Sequence, residues 1–221
     1  TGAAIDLIVM RENLEGFYAD RNLYAGNGEF MPTEDVALAI RRITRDASIK
    51  IAETAFAWAN DRPAQHVTAI HKANVMRMSD GLFLECVRMV AARYPHIRYD
   101  EILVDAAAAL MVRDPGQFDV CVTTNMFGDI LSDLASELSG SLGLAGSLNA
   151  GTSNAAAQPQ HGSAPDIAGQ DKANPVSLQL STAMLLRHVG EGDAATIIEN
   201  AVAILLAQPE TRTTDVGGIM G

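Results

Sequence analysis

The chain has 221 residues, of which 48% are hydrophobic, and it carries a formal net charge of −11. This length and apolar content allow one large domain or two small ones with a sizeable core, and they exclude a disordered chain. The acidic balance, without a basic cluster, argues against binding to nucleic acid or to an anionic membrane surface. Cys86 and Cys121 each lie in an apolar run, which predicts reduced core thiols and no disulfide.

Apolar, strand-like runs alternate with helical patterns along the first 139 residues. The predicted strands are Ile5 to Met10, Val67 to Ile70, Ile102 to Val104 and Phe118 to Thr124. Tyr24 to Pro32 is predicted to be a loop or a loose hairpin, and Thr33 to begin a long helix that ends near Asn60. Further helices are predicted from Ser79, after Asp105 and from Asn125. The alternation predicts an α/β fold with a mixed sheet.

Polar residues follow these apolar runs, at the positions where α/β folds place their chemistry. They are Arg11, Lys72, Asp105 and Asp129. The first three have ordinary structural interpretations: Arg11 in a surface turn, Lys72 on the surface and Asp105 as a helix N-cap. Position alone leaves both interpretations open.

Asp129 and Asp133 are four residues apart in a segment that begins a helix after a buried strand. On a helix this spacing places both carboxylates on one face, one turn apart. Such a pair suits Mg²⁺ or Mn²⁺, which take oxygen ligands and often use only one or two protein carboxylates. The alternative is a solvated acidic helix face, which the spacing alone does not exclude.

The sequence changes character after Ser139, where glycine, serine and other small residues replace the periodic pattern. The segment from Gln158 to Asp166 is rich in turn formers and small residues, so its backbone amides can approach a ligand closely; a plain surface loop is the alternative. Two helices are predicted beyond it, from Pro175 to Val189 and from Asp193 to Ala207, with Asp193 as an N-cap.

Four motifs, in order, resemble those of one enzyme family. They are RENLEGFY from Arg11 to Tyr18, HKANVM from His71 to Met76, NMFGDILSDLASELSGSLGL from Asn125 to Leu144, and HGSAPDIAGQDKANP from His161 to Pro175. With them the chain is similar to the isocitrate and 3-isopropylmalate dehydrogenases, which are β-decarboxylating dehydrogenases. The resemblance implies an α/β, isopropylmalate dehydrogenase-like three-layer fold, and it favours the functional interpretation of the polar residues.

The resemblance implies a role for each matching residue. Lys72 and Tyr18 would be catalytic, Lys72 as the base at the substrate hydroxyl and Tyr18 as the acid that protonates the enol. Arg11 and Asn74 would bind the substrate. The ligands of Mg²⁺ or Mn²⁺ would be Asp105, Asp129 and Asp133. In the family the equivalents of Lys72 and Asp105 reach across from the other subunit, which implies a homodimer with shared active sites.

The resemblance also implies a cofactor site. Its residues would be His161, Gly162, Ser163, Ala164, Pro165, Asp166, Ile167 and Asn174. Asp166 and Ile167 stand where NADP-using members carry Lys and Tyr. Because a carboxylate accepts hydrogen bonds from a ribose hydroxyl and repels a 2′-phosphate, we predict NAD as the cofactor.

Two parts of the chain receive different roles from the same resemblance. Residues 1–139 are predicted to form a small, dimer-forming domain that holds the substrate and metal residues. Residues 140–221 are predicted to be the C-terminal part of the large, cofactor-binding domain. Members of the family have a substantial segment before the strand at Ile5, and we expect this chain to lack that N-terminal part.

The predicted function is NAD- and Mg²⁺- or Mn²⁺-dependent oxidative decarboxylation of a 2-hydroxy diacid of the isocitrate, 3-isopropylmalate, malate or tartrate type. The alternative is a non-catalytic subunit or fragment that retains dimerisation and nucleotide binding, and a plain metal-binding module is a third interpretation. No apolar run approaches the length of a bilayer span and no signal peptide is visible, so we expect a cytoplasmic protein.

Overall fold

A computed structural model of the chain describes residues 5–18 and 22–220. The chain divides into two compact units, Thr1–Ala135 and Ser136–Gly221. The predicted domain boundary, after Ser139, lies a few residues further along the same helix. The dimer-forming and cofactor-binding roles given to the two parts remain predictions.

The first unit alternates strands and helices in most of its described residues. Its strands are β1 Ile8–Arg11, β2 Glu29–Thr33, β3 Val36–Ala39, β4 His66–His71, β5 Arg98–Leu103 and β6 Val120–Thr123. Its helices are α1 Arg45–Asn60, α2 Ser79–Ala91, α3 Val104–Arg113 and α4 Asn125–Ser139, the last of which continues into the second unit. The strands predicted from apolar runs are confirmed, with bounds shifted by a few residues.

Strands β1, β6, β4 and β5 lie side by side in that order, and each pairing between them is parallel. The prediction of a mixed sheet is wrong for this sheet, since antiparallel pairing in this unit occurs in the separate β2–β3 hairpin. Helices connect β4 to β5 and β5 to β6, and such crossover connections favour parallel pairing. Parallel strands end at the same edge of a sheet, so the polar residues that follow them are brought to one side.

The core of the first unit is formed by the sheet with helices α1 and α2. The core side chains of α1 are Ala52, Ala55, Phe56 and Ala59, and those of α2 are Phe83, Leu84, Val87 and Val90. Alanines at helical spacing let α1 approach the strands closely, and Phe56 fills the remaining space against Tyr94 with ring centroids 5.4 Å apart.

Cys86 and Cys121 are buried and free, as predicted, and burial raises the pKa of both thiols.

The long helix predicted from Thr33 to Asn60 is wrong in its first part. Residues 29–39 form the β2–β3 hairpin, and α1 begins only at Arg45. The N-cap is Thr44, whose Oγ1 accepts a hydrogen bond from the backbone N–H of Ala47 at 3.3 Å. The hairpin considered for the preceding segment therefore extends further along the chain than predicted.

The second unit is built from a short hairpin and two helices. Its strands are β7 Gly146–Ala150 and β8 Ala155–Pro159, which pair antiparallel, and its helices are α5 Val176–His188 and α6 Gly192–Ala207. Ser181 of α5 joins the hairpin to the helix, because its Oγ accepts from the N–H of Ser147 at 2.9 Å and donates to the carbonyl of Gln158 at 2.7 Å. Both predicted helices are confirmed. The predicted N-cap of the second is wrong, because Glu191 occupies the N-cap position of α6, without a capping side-chain hydrogen bond, and Asp193 lies in its first turn.

Within residues 5–18 and 22–220, no helix combines the length and the apolarity that a membrane crossing requires.

Candidate active site

Side chains predicted to be functional lie along the carboxyl edge of the parallel sheet. Arg11 ends β1, Lys72 follows β4, Asp105 lies in the first turn of α3 after β5, and α4 begins just beyond β6. The strand order places Arg11 beside the start of α4 and Lys72 beside Asp105. Their contacts define two sets of residues. The arginine group is Arg11, Tyr18, Asn125 and Asp129, and the lysine pair is Lys72 and Asp105.

The arginine group is held by hydrogen bonds that converge on Arg11 and Asp129. Arg11 Nη1 lies 2.5 Å from Asp129 Oδ1, while its Nε and Nη2 donate to Asn125 Oδ1 at 3.0 and 2.8 Å. The Tyr18 hydroxyl donates to Asp129 Oδ2 at 2.7 Å, and its ring lies 5.5 Å from the Arg11 guanidinium carbon. The hydrogen bond to Asp129 raises the pKa of Tyr18 above its ordinary value, which keeps the phenol protonated.

Two glycines and one amide let the first and third motifs meet. Asn125 Nδ2 donates to the carbonyl of Glu15 at 2.8 Å, so this side chain bridges both motifs. Gly16 has φ +85°, a left-handed conformation that favours glycine. At Gly128 an added Cβ would lie 2.5 Å from Arg11 Cγ, so only glycine lets α4 pass this close to the arginine. The role of Asn125 was not predicted from the sequence; an amide directly after a buried strand was the available signal.

The lysine pair lies at the far side of the sheet edge. Lys72 Nζ is 2.5 Å from Asp105 Oδ1, with 26% of the lysine side chain and 66% of the aspartate side chain exposed. The hydrogen bond from Lys72 lowers the pKa of Asp105 below its ordinary value. Asn74, predicted to bind substrate, is exposed in the turn that follows Lys72.

The three carboxylates predicted as metal ligands are divided between these places. Asp129 and Asp133 lie one turn apart on α4, whereas Asp105 follows β5, two strands away from β6. Adjacent strands are about 4.8 Å apart, which separates the ends of β5 and β6 by roughly 10 Å. Among residues 5–18 and 22–220, no three His, Cys, Asp or Glu side chains form a group that could hold a metal ion. Carboxylate oxygens suit a hard cation, but within one chain the predicted set is not brought together at one place.

A cavity of about 740 Å³ lies within the second unit. Its volume is in the range of small-molecule sites. The residues predicted to bind the cofactor that line it are His161, Gly162, Ser163, Ala164, Ile167 and Asn174. Pro165 and Asp166 belong to the same 3₁₀ turn as Ile167 but are not part of the lining, and Asp166 is exposed. The sequence thus predicted part of the cavity lining.

Asp215 also lines the cavity, next to Asn174, and it was not predicted from the sequence. Its Oδ2 accepts hydrogen bonds from Ser141 Oγ at 2.8 Å and Asn174 Nδ2 at 3.0 Å, and its Oδ1 accepts from Thr213 Oγ1 at 2.5 Å. Burial alone would raise the pKa of Asp215, but these hydrogen bonds outweigh it and hold the pKa below its ordinary value. Asn174 Oδ1 also accepts from the Val176 N–H at 3.0 Å, so both ends of its amide are fixed.

Polar groups at the carboxyl edge of a parallel sheet, with a separate small-molecule cavity, define an α/β protein of the ligand-binding kind. Residues 1–221 match the family model of isocitrate/isopropylmalate dehydrogenase. A mitochondrial regulatory subunit of the NAD isocitrate dehydrogenase of Dictyostelium discoideum is 46% identical over 97% of this chain and 59% of its own length. Catalytic subunit 5 of the Arabidopsis thaliana mitochondrial enzyme is 44% identical over 97% and 56%.

A crystal structure of isocitrate dehydrogenase from Methylococcus capsulatus matches the fold with a TM-score of 0.90 at 43% identity, over 96% of this chain and 62% of that one. The chain belongs to the isocitrate/isopropylmalate dehydrogenase family. The family and the isopropylmalate dehydrogenase-like α/β fold expected from the motifs are both confirmed. The chain spans a little more than half the length of the curated relatives it matches.

Proposed function

We propose that this chain is part of an NAD- and divalent-metal-dependent dehydrogenase that oxidises and decarboxylates a 2-hydroxy diacid. The arginine group carries this proposal, because it joins a guanidinium, a phenol and a carboxylate from two family motifs at one edge of the sheet. Membership in the family, and relatives named as NAD-dependent isocitrate dehydrogenases, support it.

Each residue of the edge has a part in the proposed reaction. Arg11 binds a substrate carboxylate, for which a planar guanidinium is well suited. Lys72 accepts the proton of the substrate hydroxyl, and Tyr18 donates a proton to the carbon that loses CO₂. Asp129, which accepts from Arg11 and Tyr18, would be a ligand of the cation. Asp129 and Asp133, together with Asp105, would hold Mg²⁺ or Mn²⁺, which would supply Lewis-acid polarisation of the hydroxyl; NAD would supply the hydride acceptor.

The active site is proposed to be shared between two copies of the chain in a homodimer. Asp105 lies two strands from β6 within one copy, so the lysine pair of a second copy would complete the metal and proton-transfer site. The β2–β3 hairpin offers a surface for this association, since all of its residues are exposed. Its large apolar side chains are Phe30, Met31, Val36 and Leu38. An exposed apolar hairpin of this kind is unusual on a monomer.

The cavity of the second unit is the proposed site for the adenosine part of NAD. Asn174 and the His161–Ala164 segment line it. Asp166 disfavours NADP by its charge, although it lies outside the cavity lining in the turn that leads to Ile167.

A non-catalytic subunit is the second candidate. A relative named regulatory and one named catalytic match this chain at nearly equal identity, so overall similarity does not separate the two functions. The presence of Tyr18, Lys72 and all three aspartates favours the catalytic function. Isocitrate, 3-isopropylmalate, malate and tartrate all remain candidate substrates, and the cytoplasmic location remains a prediction.

The deciding experiment is an assay of NADH and NADPH formation by the 221-residue chain with Mn²⁺ and each of the four diacids. We expect turnover of one diacid with NAD. The Lys72→Met variant should lose this turnover and still bind NADH. A chain that binds Mn²⁺ and NADH as a dimer but turns over none of the acids, both alone and when extended to the length of its relatives, would favour the non-catalytic subunit.

A further inference from the structure

A buried ion pair outside both site groups joins the turn at Lys72 to the start of α4. Asp80 lies in the first turn of α2 with its side chain 0% exposed, and Arg41 lies between β3 and α1 with its side chain 7% exposed. Arg41 Nη1 contacts Asp80 Oδ1 and also donates to Ser79 Oγ at 3.0 Å. The proposed chemistry uses neither charge.

One end of this pair holds the backbone of Lys72. The ladder of β4 ends at His71, so the N–H of Lys72 points beyond the sheet without a strand partner. It donates instead to Asp80 Oδ2 at 2.6 Å. The carbonyl of Lys72 accepts from the N–H groups of Val75 and Met76 at 3.0 and 2.9 Å. Both backbone polar groups of Lys72 are therefore fixed, and Asp80 fixes one of them from another element.

The other end of the pair holds the start of α4. Arg41 Nη2 donates to Thr124 Oγ1 at 2.7 Å, and its guanidinium carbon lies 5.6 Å from the ring of Phe127. Thr124 directly precedes Asn125, whose amide contacts Arg11. A continuous series of contacts thus runs from the backbone of the lysine pair to the helix that carries the arginine group.

We propose that Asp80 is a positioning residue that, with Arg41, fixes Lys72 relative to α4 of the same copy, and so links the segments that one copy supplies to two shared sites. A buried ion pair often stabilises no more than apolar residues of the same size, because both charges lose their hydration. Here both members use their remaining hydrogen-bonding capacity on the two site segments, which a purely stabilising pair has no need to do. The inference rests on the proposed function only in taking Lys72 as the base, and the placement itself can be measured without turnover.

The chain contains a matched control for this construction. Asp119 and Arg62 form another ion pair, with side chains 4% and 17% exposed. Asp119 Oδ2 accepts the backbone N–H of His66, the first residue of β4, at 3.2 Å. The same arrangement of arginine, aspartate and strand N–H therefore occurs at the opposite end of β4, away from the site.

The test is competitive acylation of the intact 221-residue chain, read by mass spectrometry at its three lysines, Lys50, Lys72 and Lys172. Asp80→Asn should raise the labelling rate of Lys72 relative to the other two by about tenfold, since a hydrogen bond to a charged group is typically worth at least that factor in a local equilibrium. Asp119→Asn should leave the ratio unchanged. Arg41→Lys, which keeps the charge but not the fork of donors, should give a smaller rise in the same direction.

Equal labelling ratios in Asp80→Asn, Asp119→Asn and the unmodified chain would overturn the inference and leave the proposed function untouched. Where NADH formation is measurable, Asp80→Asn should lower kcat about tenfold with KM for NAD unchanged, and Asp119→Asn should lower neither. A raised labelling ratio with an unchanged kcat would keep Asp80 as the positioning residue and remove Lys72 from the chemistry.

Discussion

At the scale of single residues, the site depends on a few side chains that each make several contacts. Asp129 accepts hydrogen bonds from Arg11 and Tyr18. Asn125 accepts from Arg11 and donates to the carbonyl of Glu15, and Asp215 accepts from three donors. Such residues are sensitive to small changes, because removing one partner leaves a buried or half-buried polar group unsatisfied.

His71, the residue before Lys72, gives the chain a specific pH dependence. Burial lowers the pKa of His71 from its ordinary 6.5, against the opposing charges of Glu101 and Asp80. Its Nδ1 accepts the N–H of Ala73 at 3.0 Å, which a protonated nitrogen cannot do. The unfolded chain therefore binds a proton more readily than the folded chain. The stability that His71 contributes is present above pH 6.5 and is lost as the pH falls through the lowered value.

The measurement is urea unfolding from about pH 8 to about pH 5. In His71→Asn the amide oxygen can still accept from Ala73. The free energy of unfolding should therefore fall less steeply with decreasing pH, by less than about 1 kcal/mol, because solvent screens this partly exposed ring. His188→Asn, at an exposed histidine of α5, is the control and should keep the original pH dependence. If the free energy of unfolding of His71→Asn fell as steeply with pH as that of the unmodified chain, the lowered pKa of His71 would not contribute to stability.

Asp215 is predicted to control nucleotide affinity through Asn174. In Asp215→Asn, one oxygen that accepts from Ser141 and Asn174, or the one that accepts from Thr213, becomes an NH₂ group that cannot accept. We expect binding of NADH, followed by its fluorescence, to weaken about tenfold. Asp193→Asn, at an exposed carboxylate of the same unit, should leave the affinity unchanged. Equal NADH affinities of Asp215→Asn and Asp193→Asn would show that Asp215 does not control nucleotide binding.

The residues predicted from the sequence belong to contiguous motifs, and the residues that were missed have partners far away in the sequence. Arg11, Tyr18 and Asp129 were predicted as site residues because each lies in a motif beside a strand end. Asp80 was predicted only as part of a helix start, since none of its neighbours in the sequence indicates an ion pair with Arg41. Asp215 likewise depends on Ser141, which lies 74 positions earlier. Only the folded chain brings such pairs together.

At the scale of elements, the β2–β3 hairpin shows why one helix boundary was mispredicted. Thr33 is followed by acidic residues and resembles an N-cap as closely as Thr44 does, and the apolar positions between them also fit helical spacing. The hairpin buries none of its residues within one chain, so no local alternation of buried and exposed positions marks it as β. Elements with a buried face of their own, such as α2 and β4, were predicted correctly.

The close approach of α4 to β1 depends on Gly128. Gly128→Ala should destabilise the chain by about 1–3 kcal/mol, because the new methyl group overlaps Arg11 Cβ and Cγ at 2.7 and 2.5 Å. Gly81→Ala in α2 is a matched control, because an added Cβ there meets nothing within 4 Å. It should stabilise the chain by about 0.5–1 kcal/mol through the better helix propensity of alanine. Urea unfolding of both variants gives the comparison, and a Gly128→Ala chain as stable as the unmodified one would show that the contact is not tight.

At the scale of the whole molecule, the residues of one predicted site lie together within one chain, whereas those of the other predicted site are divided. The cavity of the second unit is lined entirely by residues of that unit. The predicted metal ligands of the first unit, by contrast, are divided between the ends of two strands that are not neighbours. We therefore propose that a complete site combines Asp129 and Asp133 of one copy with Lys72 and Asp105 of another.

The most direct test of this claim is Mn²⁺ binding to mixed dimers, which requires no turnover. Asp105→Asn and Asp129→Asn should each abolish tight Mn²⁺ binding when purified alone. After the two variants exchange subunits, with mixed dimers verified by native mass spectrometry, roughly a quarter of the sites should bind Mn²⁺, since half the dimers are mixed and each has one intact site. No recovery in verified mixed dimers, or full Mn²⁺ binding by Asp105→Asn alone, would contradict a site shared between copies.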